Sequence, residues 1–158
     1  MKNQPIKRSE YVIALSRDHH SGLLFCWKIK QGLKRGRSLN RIADYVNFFW
    51  EGHLKEHFQE EEILLFNQHD CELTRRGKEQ HLFLENIFRA NGEGHLKEPD
   101  YLNFTEQLIA HIRFEEREVF PLLETVLSVR VLTAVRDILI KLHSKPFEDN
   151  YPDEFWIK

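Results

Sequence analysis

The sequence carries no excess of charge of either sign. Its 23 lysines and arginines stand against 25 aspartates and glutamates, a formal net charge of −2. Such balance leaves no electrostatic footprint for nucleic acid or for an anionic membrane surface, so neither partner is expected. No run reaches about 18 apolar residues, the length a transmembrane helix requires. The opening stretch MKNQPIKRSEY holds no apolar segment, so no secretory leader is expected and the cytoplasm is the expected location. Two cysteines, Cys26 and Cys71, are too few for a disulfide scaffold. β-branched residues are sparse, and no stretch of strict apolar–polar alternation argues for a sheet. What remains is a chain 41% apolar and 30% charged, a composition that folds rather than stays disordered. Its 158 residues fit one domain, 1–158. Nine histidines and twelve phenylalanines are many for that length.

Helical periodicity dominates, and the few glycines and prolines fall where helices should stop. A first helix is expected from Ser9 to Leu33, with Val12, Leu15, Leu23, Cys26, Ile29 and Leu33 on one face. Ser38 is the expected cap of a second helix that runs to Phe66 and presents Ile42, Tyr45, Val46, Phe49 and Trp50 to a core. Asp70 is read as the cap of a third helix, with Leu73, His81, Leu84, Ile87 and Phe88 inward and Asn91-Gly92 as its stop. Asp100 is read as the cap of a fourth, with Leu108, Ile112, Val119, Leu122 and Leu123 inward, and Pro121 should bend it or end its straight part. The expected architecture is all-α: an up-and-down antiparallel four-helix bundle over about 9–127, a short C-terminal helix over about 129–143, and a tail, 144–158. The tail's Phe147, Tyr151, Phe155 and Trp156 are expected to dock on their own domain; the alternative is a protein partner bound through them.

One repeat lifts the reading above a plain helical protein. The second helix holds Leu54-Lys-Glu-His57-Phe-Gln-Glu-Glu61-Glu62, and the fourth holds Leu108-Ile-Ala-His111-Ile-Arg-Phe-Glu115-Glu116. Residues i and i+4 project from one helix face, so His57 with Glu61 and His111 with Glu115 each form a two-toothed clamp. His57 and Glu61 continue the stripe of Val46, Trp50 and Leu64; His111 and Glu115 continue that of Leu108, Val119 and Leu122. Both clamps therefore point at the core. A carboxylate buried without a partner is costly, and two meeting in one core repel. The inward faces offer no identifiable lysine or arginine to compensate, whereas a pair of divalent metal ions would. The other two helices each supply an inward histidine, His19 and His81. Four histidines and two glutamates (His19, His57, Glu61, His81, His111 and Glu115) make up the candidate metal ligands. His20, about 100° round the helix from His19, is the alternative in its place. His53, one turn before His57, is the candidate for a seventh ligand or an orienting donor.

These residues, with Leu15-Ser-Arg-Asp-His19 ahead of them, resemble the hemerythrin-like, or HHE cation-binding, family over about Tyr11 to Leu123. The resemblance implies a non-haem, carboxylate-bridged pair of iron ions with a bridging oxo or hydroxo group, inside a four-helix bundle. Zinc or manganese suit the same ligands. It implies binding or sensing of a small diatomic ligand, oxygen or nitric oxide. The alternatives are an enzyme acting on peroxide or nitric oxide, and a protein that stores or delivers iron. Oxygen-carrying members have two histidines a turn apart on the third helix, where Gly77 stands four residues before His81. Their last carboxylate lies five residues after the histidine, where Glu116 stands; Glu115 instead fits the doubled H-x-x-x-E of the HHE subgroup. Gly77 is expected to leave a coordination position open to peroxide or a second ligand. Glu60 and Glu62 flank Glu61 and are expected on a solvated face, the alternative being that they orient histidines; His69, His95 and His143 are expected to be solvated, and Cys71 to keep an unperturbed thiol.

Overall fold

The periodic stretches become helix throughout. The structure is a computed structural model that describes residues 10–158, and it is all-α, with no strand among those residues. The first arm is α1 (Ile13–Lys34). The second is α2 (Leu39–Phe49), a π-helical turn (Trp50–Leu54) and α3 (Lys55–Leu64). The third is α4 (Glu72–Gly92). The fourth is α5 (Glu98–Phe114), a second π-helical turn (Glu115–Val119) and α6 (Phe120–Val126). A shorter α7 (Val129–Leu142) follows. No helix among the described residues is long and apolar enough to cross a membrane.

Several boundaries differ from the sequence expectation, each for a local reason. The expected start at Ser9 lies outside the described residues, and α1 begins only at Ile13, after a turn at Glu10 and Tyr11. Ser38 does cap α2, its side chain accepting from Arg41 N–H. The cap of α4 is Cys71 rather than Asp70: the Cys71 N–H donates to Thr74 Oγ1 at 3.0 Å, which satisfies one end of the helix start from within. In α5 the cap is Lys97, whose N–H donates to Asp100 Oδ2 at 2.8 Å. Asp100 thus acts from inside the first turn, and Pro99 sits there too, where its missing N–H costs nothing. Pro121 lies two residues after the end of the second π-helical turn, in the first turn of α6. A proline cannot donate to the carbonyl four residues back and its ring crowds it, and a wider turn just before it relieves both.

The π-helical turns also shift the buried stripes. After the second one, Phe120 and Leu123 are buried and Leu122 is only half so, although α-helical spacing favours Leu122. Trp50 and Leu64 are half-buried, with Phe49 and Leu65 taking the inner positions. On α1, Leu23 is exposed and Phe25 takes the core place.

Packing runs α1 on α5, α2 on α4, α3 on α4 and α1, and α4 on α5. Two apolar clusters result. One holds Phe25, Ile29, Tyr45, Phe49, Phe88, Phe104 and Phe155; the other holds Leu15, Leu65, Phe66, Val119, Phe120, Val135 and Leu139. Along each arm the six candidate residues lie between a stretch of one cluster and a stretch of the other, and the order of the two clusters reverses from one arm to the next.

The tail docks on its own chain. Phe155 and Trp156 are buried, and Phe147 and Tyr151 pack against the first cluster. Arg37 Nε donates to the Phe155 carbonyl at 2.9 Å, and Asp149 takes Lys28 Nζ at 3.0 Å and the Tyr45 hydroxyl. Lys28 is therefore a buried cation on an inward face, contrary to expectation, but its charge is matched by the tail. Gly32 is the seat of Phe155: a Cβ there would lie 2.6 Å from the ring. Gly32→Ala is expected to lower the urea midpoint with the slope unchanged. The clash costs about 1–3 kcal/mol and outweighs the ~1 kcal/mol gain in helix propensity.

Candidate metal centre

The six candidate side chains meet at one interior point. Glu61 and Glu115 are both 0% exposed, and His19, His57, His81 and His111 are all buried. Glu61 Oε1 lies 3.0 Å from His57 Nε2 and 3.2 Å from His81 Nε2, and Glu61 Oε2 lies 3.4 Å from His19 Nε2. Glu115 Oε1 lies 2.6 Å from His111 Nε2 and 3.4 Å from His19 Nε2. Two overlapping quartets of donor atoms follow, each within 4.8 Å: His19, His57, Glu61 and Glu115, and Glu61, His81, His111 and Glu115. Both glutamates belong to both quartets.

The hydrogen-bond accounting separates these atoms from an ordinary polar core. All four Nε2 atoms and all four carboxylate oxygens are buried without a hydrogen bond of acceptable geometry, despite their short separations. Buried polar atoms are normally satisfied, so eight around one point that meet only one another, at ion-pair distances but without hydrogen-bond geometry, leave a place for a further partner. Buried His/Glu clusters at this spacing are compatible with a metal.

The opposite ring nitrogens are fully satisfied, and they form a closed circuit. His57 Nδ1 donates to Asp18 Oδ2 (2.9 Å), His81 Nδ1 to Glu62 Oε2 (2.9 Å), His111 Nδ1 to Gln80 Oε1 (2.6 Å) and His19 Nδ1 to Glu116 Oε1 (2.7 Å). Each acceptor adjoins a candidate ligand in sequence and reaches across to the histidine of another arm. The circuit runs α1 to α3, α3 to α4, α4 to α5, and from the π-helical turn that follows α5 back to α1. Holding the proton on Nδ1 leaves Nε2 as the inward donor and fixes each ring's direction. Three acceptors are carboxylates and one, Gln80, is neutral. Aromatic rings wall the site: Phe58 stacks on His81 at 4.0 Å and Phe120 on His19 at 5.5 Å.

The charges are interdependent. Burial alone would lower the His57 imidazolium, but the Glu61 charge and the Asp18 hydrogen bond raise it to about 10. Burial likewise opposes His81, which its Glu61 and Glu62 contacts raise to about 9. His19 is raised well above its ordinary value by Glu115, Glu116 and Glu61 against the same burial. Glu61, which burial would push up, is held well below the usual carboxylate range by His57.

The structure places the alternatives at His20, Glu116 and His53, and corrects the expectations for Glu60, Glu62, His143, Cys71 and Gly77. His20 is exposed and does not take the place of His19. Glu116 holds His19 from outside, and Glu115 faces the interior. Glu62 takes the alternative role and orients His81, and Glu60 and His143 are half-buried and bonded to each other at 2.8 Å. His53 is buried but stands apart from the quartets, 3.7 Å from Asp18 Oδ1. The Cys71 thiol is lowered, its slight burial being outweighed by Thr74 at the start of α4. Gly77 does not leave open space: a Cβ there would lie 2.9 Å from Phe66, a fully buried ring that also stacks on His81 at 5.5 Å. A hydrocarbon ring fills the volume that a histidine at 77 would need.

Comparison of the chain with protein-family models, with curated proteins and with solved structures gives no match.

Proposed function

We propose that the chain is a single-domain, hemerythrin-like metal protein. In this reading it is an up-and-down antiparallel four-helix bundle holding a carboxylate-bridged pair of iron ions that binds or senses oxygen or nitric oxide. The observation that carries it is the set of eight unpartnered donor atoms, four nitrogens and four oxygens, divided into two quartets that share Glu61 and Glu115. The reversal of apolar cluster order from arm to arm supports the antiparallel bundle, since neighbouring arms then cross the site in opposite directions. His19 and His57 would hold one ion and His81 and His111 the other, with both glutamates reaching each. Imidazole-rich sites suit iron and zinc better than manganese, which favours oxygen donors. Iron held this way supplies reversible redox chemistry and free coordination positions. The chain's own contribution is the two carboxylates that offset the cations' charge, the Nδ1 circuit that orients the rings, and the walls of Phe58, Phe66 and Phe120. Phe66 beside Gly77 favours binding over peroxide turnover, because a dry apolar wall offers no proton donor. Protein loaded with ferrous iron without air should hold two irons in the buried quartets and develop a charge-transfer band with oxygen or nitric oxide. If the two-iron protein shows no spectral change with either gas, the reading fails.

Two further results are expected. His57 and His81, raised to about 10 and about 9, carry protons at pH 7 in the metal-free chain, and a cation at Nε2 displaces them. Loading at pH 7 should release protons, read by calorimetry in buffers of different ionisation enthalpy, and affinity should rise as pH increases toward 9–10. For folding the sign is the reverse: the stability these raised groups give the metal-free protein is complete below about 6.5 and is lost as pH rises through 9–10. The neutral Gln80 makes His111 a weaker ligand than its three carboxylate-backed counterparts. A chelator should therefore remove metal in two phases, the His81–His111 side first, and Gln80→Glu should slow the fast phase roughly 10-fold.

A further inference from the structure

A second cluster of donors lies outside the six. Asp18, Glu60 and His143 each offer an atom within 4.8 Å of the others. They line a cavity of about 160 Å³ between α1, the second arm and the segment after α7, with His57 in its wall. Acidic side chains and a histidine near one another are common, so the deciding observation is His53. It is only 7% exposed, its Nε2 has no hydrogen-bond partner, and it lines the same cavity. Its ring is stacked on Phe147 at 4.1 Å and set by the first π-helical turn, and Nε2 stands 3.7 Å from Asp18 Oδ1, too far for a hydrogen bond. The other Asp18 oxygen, Oδ2, is engaged by His57. Oδ1 and His53 Nε2 thus face each other across a gap that neither closes.

We propose that Asp18, Glu60 and His143, joined by His53 from the far side of Asp18, form an outer, mononuclear site for a divalent first-row transition ion, open to solvent and separate from the buried quartets. Two imidazoles select such an ion over magnesium or calcium, which prefer all-oxygen shells. Two carboxylates neutralise its charge, and Glu56 adds a third negative group to the cavity against the single cation Lys145. A cation here is joined to the interior through one carboxylate and one imidazole, Asp18 and His57, and so lies between solvent and the buried centre. His143 and Phe147 belong to the segment beyond the four arms, which gives that segment a role beyond covering the apolar core.

The test uses the full chain, stripped of metal and dialysed to equilibrium against Zn²⁺. His143→Ala should bind one zinc ion fewer than the unaltered protein. That means two against three if the buried pair also fills, and none against one if it does not, so the outer site is judged independently of the function proposed above. Zn²⁺ should also protect His143, in the unaltered protein, from acylation by diethyl pyrocarbonate, read by peptide mass spectrometry. Equal zinc content in the two proteins overturns the proposal. So does a loss of more than one ion, which would make His143 part of the buried centre's support.

Discussion

Glu61→Ala is expected to leave size-exclusion chromatography with neither buried metal position filled, whereas His57→Ala keeps metal on the His81–His111 side. The difference follows from reach. His57 Nε2 belongs to one quartet, but Glu61 belongs to both, with one oxygen beside His57 and His81 and the other beside His19. Removing it deletes a donor from each position and uncovers the mutual repulsion of two cations. Loss of an outer orienting partner costs roughly 10–100-fold in metal affinity, and loss of a shared donor should exceed that at both positions. Glu115→Ala should behave in the same way. Metal content per folded chain, with circular dichroism to confirm that helix persists, decides the matter. A Glu61→Ala protein that retains a full equivalent of metal when His143→Ala has also removed the outer cluster would sink the idea of a bridged pair.

Chelation should produce the second large effect. Without metal, two fully buried carboxylates rely only on histidine protons, because every ion-pair partner of Glu61 and Glu115 among the described residues is a histidine. A ligand at 1,000 times its dissociation constant stabilises the folded state by about 4 kcal/mol. In a chain of this size each kcal/mol moves the thermal midpoint by about 2–4 °C, so stripping the metal should lower it by roughly 8–16 °C. The same treatment should leave the midpoint of a Glu61→Ala, His143→Ala protein unmoved, which separates metal loss from any direct action of the chelator. A midpoint that does not respond to chelator in the unaltered protein would mean that the buried charges are stabilised by something other than a cation.

The helical arms and the six inward residues were legible because both depend on local spacing. Apolar periodicity places a face, and an i,i+4 histidine–glutamate pair shares it whatever lies across the core. The two π-helical turns were not legible. Gly52 lies within one and Pro121 follows the other, weak helix formers that mark where a helix can widen without saying that it does. The misplacement of Leu122 and the neglect of Phe120 follow from carrying ideal spacing across the second π-helical turn, whereas Leu23 and Phe25 lie on opposite flanks of the buried face of α1, and which flank is covered depends on the neighbouring helices.

The amino-acid sequence alone determined that this chain is helical and that four histidines and two glutamates lie on the inward faces of separate helices. That much is a property of each helix by itself. Only the tertiary structure decided which nitrogen of each histidine faces inward, that Gln80 and Glu116 are orienting partners, that Phe66 fills the space beside Gly77, and that His53 faces Asp18 rather than the glutamate pair. Those relations join residues as far as 97 positions apart, between His19 and Glu116. They are set by how the arms seat against one another, and no periodicity within a single helix encodes that.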